Sequence, residues 1–114
     1  MTTYRNPVQM NEKETSALQA IIVNRRTPEL QDTAPLMTSD DYRIRFVAEY
    51  WQTKIRYEKL KDFNTRIRAS KNYLKKVEAP QHDCDEELLE HQQHVMGEYL
   101  HILEVRAVIE GIQL

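Results

Sequence analysis

The chain has 114 residues, of which 30% are charged and only two are glycine, with a formal net charge of -2. That length allows one domain with a modest core. No apolar run approaches the ~18 residues of a membrane span, and the small negative charge argues against general nucleic-acid binding. The polar start, MTTYRNPVQMNEKE, predicts no secretory signal. The single cysteine, Cys84, gives no internal disulfide and suits a reducing cytoplasm.

Residues 1–10 carry no periodicity and read as a loose arm. From about Asn11 to Arg26, Leu18, Ile21 and Ile22 with Ala17 and Val23 predict a short amphipathic helix that stops before Pro28. Thr27 to Thr38 holds two prolines and no periodic pattern, so a connector is expected, in which Leu36 and Met37 can pack against the long helix beyond it. Residues 1–37 are therefore an arm, a short helix and a connector. Residues 38–114 form the main domain.

That domain opens on SDDYRIRFVAEYWQTKIRYEKL, from Ser39 to Leu60. Ser39, Asp40 and Asp41 supply side-chain oxygens and negative charge for a helix start. No proline or glycine occurs from there until Pro80, so one helix is predicted from about Asp40 to about Val77. Tyr42, Phe46, Tyr50, Tyr57, Leu60 and Ile67 share one face at about 100° per residue. Ile44, Ala48, Trp51 and Ile55 lie on nearly the opposite face. A surface helix buries one stripe; two stripes predict a helix with partners on both sides. The short first helix covers the second stripe only in part, so Ile44, Ala48, Trp51 and Ile55 are the expected interface of a homo-oligomer.

Glu78 to His82 is a break around Pro80. Asp83 with Glu86 then reads as a capped start, and the last helix is predicted from about Asp85 to about Glu110, with Gly111 as its stop. A break this short makes the two long helices an antiparallel hairpin. The fold expected is all-α, a long antiparallel helical hairpin with a short N-terminal helix, assembled into an oligomeric bundle. Residues 40–78 carry net +5 and residues 79–114 net -7. This charge contrast is expected to set register and orientation, with apolar burial supplying the stability.

Chemistry-bearing residues are sparse. His91, His94 and His101 share the last helix, and Glu98 with His101 copies the Glu-x-x-His spacing of carboxylate-bridged metal bundles. The long helix offers no second such motif, so solvated histidines and no metal are expected. Cys84 lies among acids that disfavour a thiolate, and no phosphate loop or nucleophile elbow is present. An enzyme is not expected, nor a cofactor. Basic residues flank the aromatic face in two strips, Arg45 and Arg56 in one, and Arg43, Lys54 and Lys61 in the other. One reading is a solvated or hairpin-pairing face. The other is anion recognition by guanidinium groups, with Tyr57 for stacking. Arg106, the one basic residue of the acidic last helix, needs a carboxylate or a ligand anion beside it. Arg45 and Arg56 lie roughly 16 Å apart along one strip, so a symmetric pocket closed by a neighbouring copy is the expected arrangement.

The Ser39 to Leu60 stretch, with Asp41-Tyr42, Arg45-Phe46, Glu49-Tyr50 and Lys54-x-Arg56, resembles a group of small uncharacterised proteins from tailed-phage and prophage genomes. The end, YLHILEVRAVIEGIQL, is similar to the same group's C-terminus. The likeness covers about residues 38–114. The group often has Cys-Pro before its last helix, where this chain has Cys84-Asp85. This resemblance implies a phage accessory protein in the bacterial host cytoplasm. Its build is similar to anti-defence sponges, such as anti-CBASS and anti-Thoeris proteins, which hold cyclic nucleotides or cyclic ADP-ribose derivatives without cleaving them. On that analogy Arg45, Arg56, Tyr57 and Arg106 hold a small anionic nucleotide. The alternative is a helical protein-binding module that inhibits a host protein or serves phage assembly or regulation, with Trp51, Ile44 and Ile55 as its apolar face.

Overall fold

The computed structural model describes residues 28–72 and 78–114; the expected helix over 11–26, the arm over 1–10 and the end of the long helix over 73–77 lie outside them. The described residues form three helices and no strand, α1 (Leu30–Met37), α2 (Tyr42–Asn72) and α3 (Glu86–Glu110). The all-α expectation holds.

α1 occupies the stretch expected as a connector, and this corrects that expectation. It starts on a reciprocal cap, in which the Glu29 N–H donates to Asp32 Oδ2 at 2.9 Å and the Asp32 N–H donates to the Glu29 carbonyl at 3.0 Å. Pro35 lies inside it and cannot make the helical hydrogen bond of its position. Tertiary contacts therefore hold this short helix. Leu36 and Thr33 are buried one turn apart, and the Thr33 hydroxyl accepts from Gln52 Nε2 of α2 at 3.1 Å.

α2 begins slightly later than the Ser39–Asp40 start expected. The Ser39 hydroxyl accepts from the Asp41 N–H at 3.1 Å, and Asp41 Oδ1 caps the Arg43 N–H at 2.9 Å. α3 is capped at Asp85, with Glu86 and Glu87 in its first turn, in place of the Asp83 cap expected. It ends where expected. Gly111 takes φ 70°, a left-handed conformation that favours glycine, and the Ile112 N–H bonds the Ala107 carbonyl at 2.8 Å.

α2 and α3 run antiparallel. Moving along α2, Tyr42 bonds Glu110, Tyr50 bonds Glu104, and Asn64 bonds Leu89 and Gln93, so partners descend along α3. The core gathers at one end, where Leu36 of α1, Ile44, Phe46, Val47, Ala48 and Tyr50 of α2, and Leu100, Leu103 and Ala107 of α3 meet. Ile44 and Ala48 are each 1% exposed. Two of the four residues expected to meet another copy are thus already covered within the chain, by the helix the prolines concealed.

The expected role of charge is also revised. Lys71 of α2 pairs with Glu86 of α3, and the Arg43 charge of α2 acts on Glu110 of α3. Arg66 with Asp62, Lys54 with Glu58, and Arg106 with Glu110 lie within single helices. Register is pinned instead by directional bonds. Tyr50 donates to Glu104 Oε2 at 2.7 Å, and burial, followed by that carboxylate, pushes the phenol pKa up.

Candidate functional site

Alongside the α2–α3 contact, away from the core, lies a lateral groove of about 780 Å³. Tyr57, Asn64, Thr65 and Arg68 line its α2 side. Glu90, Gln93, His94, Gly97, Glu98 and His101 face them from α3, with Ile102 at one end.

The Tyr57–Gly97 contact shapes the groove. A Cβ added to Gly97 would lie 3.3 Å from Tyr57 Cε1, so the bare glycine backbone lets the ring lie close against α3. Glycine costs a helix interior about 1 kcal/mol, which the close approach offsets. Below it, Asn64 is buried and its Nδ2 donates to the Leu89 carbonyl at 3.1 Å and to Gln93 Oε1 at 2.9 Å. The amide holds the groove floor at a fixed width. The Thr65 hydroxyl donates back to the Lys61 carbonyl at 2.7 Å.

The charges are mixed. His94 Nε2 lies 2.7 Å from Glu98 Oε1, and His101 Nδ1 lies 3.7 Å from Glu104. Arg68 is exposed and forms no ion pair with another described residue. Its guanidinium donors are therefore available to an anion, while Glu90 offers acceptors on the other wall. Among the described residues no group of three metal-ligating side chains converges.

Of the expected ligand residues, only Tyr57 lines this groove. Arg106 donates Nε to Glu110 Oε2 at 2.9 Å and stacks over the Phe46 ring at 5.0 Å. Its required counter-charge is thus a carboxylate one turn away. The Arg106 and Tyr42 hydrogen bonds hold the Glu110 carboxyl pKa below its usual value. Arg45 donates Nη1 to the Ser39 carbonyl, bracing the start of α2. Arg56 is exposed, on a different face from the groove.

Arg68, Asn64 and Thr65 escape notice because each looks like an ordinary helix-surface residue in sequence, and His94 and His101 stand out there only for metal binding. The signal that could have found them is Gly97, the one glycine inside a described helix, which marks a close approach.

Trp51 and Ile55, the half-buried remainder of the expected oligomer face, line a second groove of about 800 Å³ with Lys54, Lys59 and the chain around Pro28 to Gln31.

The fold is an all-α helical hairpin with a lateral groove between α2 and α3. Residues 40–109 match the Sequestin family model, and the chain belongs to the Sequestin family. No curated protein and no solved structure matches the chain.

Proposed function

We propose that this protein sequesters a small anionic nucleotide, holding it in the α2–α3 groove without cleaving it. The observation that carries the reading is Arg68, its donors uncommitted, in the same groove as Tyr57, about 16 Å further along α2. A guanidinium fork binds phosphate bidentately, and a tyrosine ring at the groove wall gives a base a stacking surface. Glu90, across the groove, accepts hydrogen bonds from ribose hydroxyls or an exocyclic amine. The mixed charge suits a ligand that is anionic at one end and donor-bearing at the other, which a cyclic nucleotide is. The family's name, Sequestin, is compatible with such a role. The phage resemblance supports the setting, in which the protein counters antiviral defence in the bacterial host cytoplasm by removing an immune signal.

Titration calorimetry against cyclic dinucleotides and cyclic ADP-ribose derivatives tests this. A charge-assisted contact contributes about 1.5–3 kcal/mol, so Arg68→Ala is expected to weaken binding tenfold or more. The ligand should come back chemically intact after heating the complex. Absence of heat for every nucleotide would favour the protein-binding module, for which the Trp51–Ile55 groove is the candidate face.

A further inference from the structure

α3 has two seams, and the hairpin uses one. Leu89, Gln93, Met96, Leu100, Leu103 and Ala107 face the interior at alternating spacings of three and four. A second stripe, Leu88, Val95, Ile102 and Ile109, recurs every seventh residue, with Tyr99 between. These side chains remain exposed at 58%, 48%, 55% and 76%, with Tyr99 at 40%. Most of the exposed large apolar side chains among the described residues lie on α3, so unburied apolar surface is concentrated on this helix. Exposed patches of this kind mark interaction sites. A sustained seven-residue repeat fits the knobs-into-holes surface of a partner helix of similar length.

We infer that this outer stripe is where a second copy of the chain packs, α3 against α3 and antiparallel. A two-fold axis between positions 98 and 99 sets Leu88 against Ile109 of the second copy and Val95 against Ile102 of the second copy. The four heptad positions then meet one another, the self-complementarity a two-fold interface requires, and Tyr99 lies next to the dyad. Arg106, the one Lys or Arg of α3, comes level with His91 of the second copy, with Glu90 next to it. A parallel pairing would put Glu98 beside Glu98 and Arg106 beside Arg106, and would align the helix dipoles. Each exposed side chain leaves on the order of 100 Å² in water, so five on each of two copies come to about 1,000 Å², the threshold for a specific interface. The stems of Gln92 and Arg106 add to it. Ile102 belongs to both the stripe and the groove wall, so the pairing lines up a groove on either side of the dyad. It does not rest on the ligand reading.

Light scattering of the full chain at tens of micromolar should give twice the 13.6 kDa of one chain. Val95→Glu with Ile102→Glu should halve that mass while circular dichroism keeps its helical signal. A wild-type monomer, or a double variant that keeps the dimer mass, overturns the proposal. A second measurement fixes the geometry and does not depend on the charged variant folding. In a Cys84→Ser background, Leu88→Cys with Ile109→Cys should oxidise to a disulfide-linked dimer. Within one chain these positions are about 32 Å apart along the helix, too far to bridge. Leu88→Cys alone should stay unlinked. Efficient linking of that single variant, or none in the pair, contradicts the antiparallel register.

Discussion

Among the described residues, three helices meet at one end of the molecule and two at the other. The three-helix end, formed by α1, the first half of α2 and the second half of α3, holds the buried core cluster. Toward the other end, Asn64 and Ile67 are the buried residues of α2, and the helices there enclose a groove. The difference teaches where stability and binding are separated. Burying a Leu, Ile or Val side chain contributes roughly 1.5–3 kcal/mol, so the three-helix end anchors the hairpin. The open end is free to carry polar side chains that a third helix would have covered.

Substitutions graded across the two ends can break this division or sharpen it. The largest effect belongs to the packed end. Leu103→Ala removes a side chain that is 2% exposed and should cost about 2–5 kcal/mol in urea unfolding. A loss below about 1 kcal/mol would mean that this end is not the anchor. Next comes Asn64→Ala, expected to cost about 1–2 kcal/mol by removing two donated bonds at the groove floor. It should also weaken nucleotide binding, whereas Leu103→Ala at a temperature where the protein stays folded should not.

The smallest effect at neutral pH is that of Tyr50→Phe, which removes the bond to Glu104 and should cost about 0.5–1.5 kcal/mol. Its sharper reading is in base. Because the folded-state phenol pKa is raised, the protonated form is favoured by folding. That stability is fully present below the ordinary tyrosine value, near 10, and is lost as pH rises above it. Wild type should lose stability in that range, and Tyr50→Phe should lose less. Parallel alkaline curves for the two would place the effect elsewhere.

Much of this fold is legible in the sequence, and the exceptions have physical causes. The long helix, the hairpin and the stop at Gly111 follow from periodicity, the Pro80 break and a single left-handed position. α1 does not, because Pro35 masks it and its buried side reduces to Thr33 and Leu36, too short to show a period. Without α1, Ile44 and Ala48 look bare, although both are buried within the chain. Charge totals for the two helices suggest pairing, yet among the described residues Lys54 with Glu58, Arg66 with Asp62 and Arg106 with Glu110 pair within one helix, where neighbours four apart meet readily. Of the proposed binding residues Tyr57 is legible as an aromatic beside basic groups. Arg68 is not, since its value comes from what α3 leaves uncovered around it, and only Gly97 hints at that.

Amide hydrogen exchange, with and without a cyclic nucleotide that gives heat in calorimetry, tests the central claim most directly. In the free protein, residues 57–72 and 86–97 should exchange faster than residues 44–51 and 100–107. Added nucleotide should slow exchange around Tyr57 to Arg68 and Glu90 to His101 while leaving the three-helix end unchanged. Protection centred on Arg45 and Arg106, or spread evenly over the chain, would contradict a ligand site in the α2–α3 groove.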